Sequence, residues 1–175
     1  MSVELVFETH STTEDNETGI ATGWLPGRLS ATGRQQAAEL GARRRDDGFA
    51  IVFASDLGRA VETAEIAFAG TGLTVVTDAR LRECDYGALN GTPEPTRDRV
   101  ARIDVAYPGG ESWREAVART IGFYEQVRRE RAGERVLVIG HSATRYALDV
   151  LVHGRLLEEL VDAPFVWQPG WEYRL

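Results

Sequence analysis

Apolar residues in this chain gather into short runs separated by long polar or glycine-rich stretches, the pattern of buried strands alternating with one-sided helices. Val3 to Phe7 predicts a first strand that stops at Glu8-Thr9-His10 and opens into short polar residues through Asn16. Phe49 to Ala54 predicts the second strand, Leu73 to Thr77 the third and Arg135 to Gly140 the fourth. Trp167, Trp171 and Tyr173 read as a final aromatic strand whose rings pack in the core or along an edge.

Between these runs the spacing turns helical. Ser30 caps a helix from about Ala31 to Arg45, with Ala37, Leu40 and Gly41 facing inward and Arg43, Arg44 and Arg45 at its negative end. Ser55 or Asp56 caps a second helix, through about Phe68, with Arg59 in its first turn. Ser112 and Glu115 form a capping box for a third, to about Arg131, with Val117, Ile121, Tyr124 and Val127 on one face. The last runs from Ala143 to about Val152, with Ser142 as its N-cap. Gly19 to Gly27 reads as irregular. The tract from Leu81 to Gly110 has no clear period, and a connection of that length in a compact domain is functional or mobile.

Alternating strand and helix patterns with no internal repeat predict one α/β domain over residues 1–175, with a mostly parallel sheet between two helical layers. Composition narrows this mainly by exclusion. A hydrophobic content of 43% supports a sizeable core. The net charge of −7 argues against general nucleic-acid binding and leaves room for a local site for an anionic small molecule. With no apolar run of membrane-spanning length and no signal-peptide pattern, the expectation is a cytoplasmic protein without a membrane partner. The single cysteine, Cys84, excludes an intramolecular disulfide and reads as a small buried hydrophobe.

Candidate chemistry sits where the strands end. In an open α/β sheet the C-terminal strand ends share one edge, where ligands bind. His10, Arg59, Glu83 and His141 each fall just past a strand, so all four are expected to line one pocket. They form a coherent set for phosphoryl transfer. A neutral imidazole attacks phosphorus, an arginine grips equatorial oxygens, a second imidazole stabilises the same charge, and a carboxylic acid protonates the leaving alkoxide.

The segments around these residues resemble the histidine phosphatase superfamily, also called phosphoglycerate-mutase-like, over nearly the whole chain. The resemblance rests on His10 with Thr13 and Asn16, on Leu29-Ser30 with Gly33, Gln36 and Ala37, and on Ser55 to Ala60 with Glu62-Thr63-Ala64. It continues through Leu81-Arg82-Glu83 with Tyr86, Gly87 and Gly91, Pro108 to Ser112, and Gly140-His141. It implies a phosphoglycerate-mutase-like three-layer fold and hydrolysis of a small phosphorylated metabolite through a phosphohistidine on His10. It further implies Glu83 and His141 as catalytic partners, Arg59, Ser11, Asn16, Ser142 and Arg145 as substrate-binding residues, no cofactor, no metal, and room for a homodimer.

The chain departs from the family at its first motif, where Arg-His-Gly is replaced by Thr9-His10-Ser11. Losing that arginine removes a charge-assisted contact worth about 10²–10³ in rate. Arg145 is the expected substitute, with Arg28, Arg82 and Arg97 as weaker ones. Two rivals share the site: a phosphoglycerate mutase, and a repurposed member that binds a phosphorylated ligand without turnover. Gly140-His141-Ser142-Ala143-Thr144 mimics a serine-hydrolase elbow, but Thr144 stands where glycine belongs and no acid and histidine follow with room for their strands. A metal held by His10, Glu83 and His141 lacks any supporting spacing, and His153 reads as a structural residue at a helix end.

Overall fold

β1 (Glu4–Thr9) and β6 (Arg135–Gly140) lie side by side in the centre of a five-stranded sheet, in a computed structural model that describes residues 1–94 and 98–175. β3 (Ile51–Ala54) flanks β6, β4 (Val75–Thr77) forms one edge and β7 (Trp171–Arg174) the other, giving the order β4-β3-β6-β1-β7. Four strands run parallel, and β7 is antiparallel to β1. Apolar strands buried on both faces need helices on both, and the chain supplies them. α2 (Ala31–Arg44) and α3 (Gly58–Phe68) cover one face, closing over Val6, Val52, Ala54, Leu137 and Ile139. α4 (Trp113–Glu130) and α5 (Ser142–His153) cover the other, closing over Leu5, Phe7, Ile51, Phe53, Val136 and Val138. The three-layer α/β arrangement and the mostly parallel sheet are as expected.

Some elements had no sequence signal. A short helix, α1 (Glu14–Thr18), follows the first strand, and a two-stranded ribbon pairs β2 (Ile20–Ala21) with β5 (Thr92–Pro93). α6 (Leu157–Asp162) precedes the last strand. Three expectations need correction. α3 is capped by neither Ser55 nor Asp56: its N-cap is Leu57, without a side-chain bond, and the Ser55 hydroxyl accepts from the Leu57 N–H. α5 starts at Ser142 with His141 as N-cap, because the Thr144 hydroxyl already accepts the His141 N–H. Trp167 lies outside the aromatic strand and is 59% exposed, since that strand begins only at Trp171.

β1 also carries a charge into the interior. Alternation along the strand puts Glu8 on the same face as Val6, under α2, where it is 1% exposed. Arg44 Nε donates to it at 2.8 Å, and Arg43 Nη2 lies 3.2 Å from both oxygens. The expectation that Arg43 and Arg44 merely complement a helix end is therefore wrong. A full buried carboxylate attracts them more strongly than the partial charge of a helix terminus. Arg45 alone turns back to its own helix, donating to the Gly41 carbonyl at 3.1 Å. At its other end, α2 packs against the loop after His10. A Cβ on Gly33 would stand 1.9 Å from the Thr12 carbonyl oxygen, so only glycine allows this approach.

Candidate active site

Register brings the two histidines together. Thr9 pairs with Gly140 across β1 and β6, so His10 and His141 leave the sheet as neighbours. The His10 N–H donates to the Gly140 carbonyl at 3.0 Å, and the two ring centroids are 5.0 Å apart. Arg59, 2% exposed in the first turn of α3, reaches between them. Its Nε lies 3.3 Å from His10 Nε2, and its Nη2 lies 3.3 Å from His141 Nδ1. Two carbonyls from the irregular 19–27 stretch fix it: Nη1 donates to Leu25 and Nη2 to Gly23, each at 2.9 Å. Gly23 has φ +55°, and a Cβ there would fall 1.8 Å from Asn90 Oδ1. No carboxylate among the described residues pairs with Arg59.

These contacts assign the ring protons. His10 Nδ1 is 2.8 Å from the Ser11 carbonyl, which only accepts, so Nδ1 carries the hydrogen and Nε2 keeps a lone pair. His141 Nδ1 faces Arg59, which only donates, so its hydrogen is on Nε2. That Nε2 is buried and has no partner. Burial first, and the Arg59 charge second, push His10 down to about 3. The same two causes, with His10 and Arg119 adding, hold His141 well below the usual imidazole value. Both rings are therefore neutral near neutrality.

Acid stability should register this. Unfolded histidine protonates near 6.5, whereas folded His10 does so only at about 3, so the unfolded state binds the extra proton between those values. Stability from this source is complete above 6.5 and is lost as pH falls toward 3. The slope is at most about 1.4 kcal/mol per pH unit for each ring. Urea midpoints taken from about pH 7 to about pH 5 should fall less steeply in His10→Asn than in wild type. Parallel slopes would show that His10 titrates normally.

Glu83 joins the group from the other side of β6. Its carboxylate accepts from the N–H groups of Cys84 (2.9 Å), Ala143 (3.1 Å) and Ser142 (3.2 Å). Its own carbonyl is clamped by Trp24 Nε1 and Arg119 Nη2, both at 2.7 Å. His10, Arg59, Glu83 and His141 all line one cavity of about 900 Å³.

The remaining candidates divide. Ser11, Asn16 and Ser142 line the same cavity. The Ser11 N–H is not offered to it, however, because it donates to Thr63 Oγ1 at 3.0 Å. Asn16 uses its side-chain oxygen to accept the Thr13 N–H at 3.0 Å, capping α1. No histidine among the described residues bonds the Ser142 hydroxyl, so the serine elbow is not formed. Arg145 is misassigned: it does not line the cavity and instead lies 5.1 Å from the Trp171 ring, 5.6 Å from Tyr146 and 5.9 Å from Phe165. Those aromatic faces hold the guanidinium that was expected at the phosphoryl group. Arg82 is paired with Asp56 at 2.6 Å, Arg28 is exposed, and Arg97 lies outside the described residues.

Sequence reasoning missed Arg99 and Trp113, which line the cavity, and the Trp24–Arg119 clamp. Arg99 comes from the aperiodic tract, where no pattern singles out one arginine among several. Trp113 was legible only as a residue of a capping box. The glycine-punctuated 19–27 stretch signalled close backbone approach without naming what it approaches.

Residues 5–163 match the profile of the histidine phosphatase superfamily (branch 1). A 2,3-bisphosphoglycerate-dependent phosphoglycerate mutase from Methylobacterium sp. (strain 4-46) is 34% identical over 93% of this chain and 86% of its own length. Among solved structures, Bacillus stearothermophilus YhfR superposes with a TM-score of 0.85 at 26% identity, covering 95% of this chain and 88% of that one. A mycobacterial glucosyl-3-phosphoglycerate phosphatase in complex with VO3 superposes with a TM-score of 0.75 at 26% identity, covering 91% and 85%.

Proposed function

The chain belongs to the histidine phosphatase superfamily (branch 1), and from that premise we propose that it hydrolyses a small phosphomonoester through a phosphohistidine on His10. One observation carries the reading: the Ser11 carbonyl holds His10 Nδ1, which leaves the Nε2 lone pair facing Arg59 and the His141 ring. A neutral imidazole so oriented is a nucleophile at neutral pH. Arg59 and the unpartnered His141 Nε2–H are fixed donors for the equatorial phosphoryl oxygens.

In the first step the Nε2 lone pair forms the P–N bond as the ester P–O bond breaks, and a proton from the Glu83 carboxyl passes to the leaving alkoxide. In the second, Glu83 as carboxylate takes a proton from water. The oxygen attacks phosphorus, and the P–N electrons return to His10. Three backbone N–H groups and two grips on its carbonyl keep Glu83 in place for both steps.

A second reading, phosphoryl transfer between metabolites, is favoured by the mutase name carried by a relative matched over 86% of its length. One experiment separates the two. The protein is mixed with a panel of phosphomonoesters and quenched rapidly, and the chain is assayed for acid-labile phosphate while the solution is assayed for free phosphate and for phosphoryl-shifted product. Labelled protein with free phosphate is the expected result. Labelled protein with shifted product and little free phosphate favours transfer. An unlabelled chain that still releases phosphate overturns the phosphohistidine.

A further inference from the structure

The short segment between α6 and β7 turns aromatic rings outward. Phe165 is 49% exposed and Trp167 59%, whereas Trp113, Tyr107, Tyr124 and Phe7 are fully buried. Pro164, Phe165 and Trp167 all line the cavity that holds His10. Apolar rings left open together in a concave surface, instead of scattered singly over a convex one, mark a place for a partner. The cavity itself, about 900 Å³, is of the size that takes a whole small molecule, far more than a phosphoryl group alone.

Phe165 is held before any ligand arrives. It lies 6.5 Å from the Trp171 ring, which packs on Phe7 at 5.7 Å, and 5.9 Å from the Arg145 guanidinium. Beyond it, Arg44 Nη2 donates to the Pro169 carbonyl at 2.9 Å, which ties the segment to the end of α2. Arg145 also relates Phe165 to the reacting end, because it stands one helical turn after Ser142, whose N–H donates to Glu83 at 3.2 Å. In-line displacement sends the leaving oxygen away from His10 and toward the acid, the side on which α5 begins. The charged groups that α2 brings to the cavity offer nothing to a second anion: Arg43 is committed to Glu8, and the Glu39 carboxylate accepts from Gln35.

Resting on the phosphomonoesterase reading, we propose that Phe165 and Trp167 form an apolar subsite for the leaving group of the substrate. The substrate class is then a phosphate monoester of a neutral alcohol that carries an aromatic or bulky apolar body. Rings already fixed in place bind such a group without a further ordering cost.

The test compares 2-phenylethyl phosphate with ethyl phosphate, whose alcohols are of similar acidity, so that the ratio of kcat/KM values reads contact with the phenyl group. The ratio of affinities for the matching phosphonates, which are not hydrolysed, is read by calorimetry. Wild type should prefer the phenyl member of each pair by about 10-fold or more, and Phe165→Ala or Trp167→Ala should shrink that preference roughly 3- to 10-fold each. Val166→Ala, in the same segment but 70% exposed and outside the cavity lining, should keep the wild-type preference. A wild-type ratio near one, a ratio unmoved in both ring variants, or an equal loss in Val166→Ala overturns the subsite. Should the phosphonates show a preference that depends on the rings while no ester is turned over, the subsite stands and the phosphatase reading falls.

Discussion

Replacing His10 with alanine should abolish phosphate release, by at least about 10⁴-fold in kcat, because the attacking atom itself is removed. The same change leaves Arg59 and the His141 Nε2–H in place, so oxyanion binding should survive far better than turnover. His10 is partly exposed, so its truncation uncovers little of the core and the variant should fold. Steady-state assays of purified wild type and variant on the best phosphomonoester measure the effect. Activity within 10-fold of wild type would remove His10 as nucleophile, whatever else the cavity binds.

Restoring the lost arginine should have the second largest effect. Thr9 lines the cavity beside His10, and neither Arg145, held against three aromatic rings, nor Arg82, paired with Asp56, takes over there. Thr9→Arg should tighten phosphate or vanadate about 10- to 100-fold and raise turnover up to about 10³-fold. The adjacent carboxylate, Glu8, is already paired with Arg43 and Arg44. Arg145→Ala should leave oxyanion affinity where it is. Tight vanadate binding by wild type, unmoved in Thr9→Arg, would mean that the cavity meets its charge requirement without the first-motif cation.

The strand ends were legible because each apolar run halts at a residue of a different chemical kind, and the parallel sheet then carries those residues to one edge. His10 and His141 followed from this alone, whereas Arg59, by its own helix turn an ordinary surface arginine, stood out only in company with them. Glu8 was not legible as a buried group. One polar residue ending an apolar run looks the same whether the strand has stopped or has turned that side chain toward a pair of arginines. Arg145 failed for a related reason: its spacing from His141 suits the pocket, but two of the three aromatic rings that capture it arrive from β7 and the segment before it. Arg99 sits in a stretch without periodicity, where only the folded chain tells one arginine from the next.

The pairing of Thr9 with Gly140 has a consequence for how the protein comes into being. The two imidazoles lie far apart in the sequence, and their meeting requires β1 and β6 to pair across a long stretch of chain. Closing that stretch costs entropy that local helices do not recover, so the pairing is stable only within the assembled sheet. A chain without β6 lacks His141 and the strand that seats it beside His10. The proposed phosphoryl chemistry therefore waits on the assembled sheet.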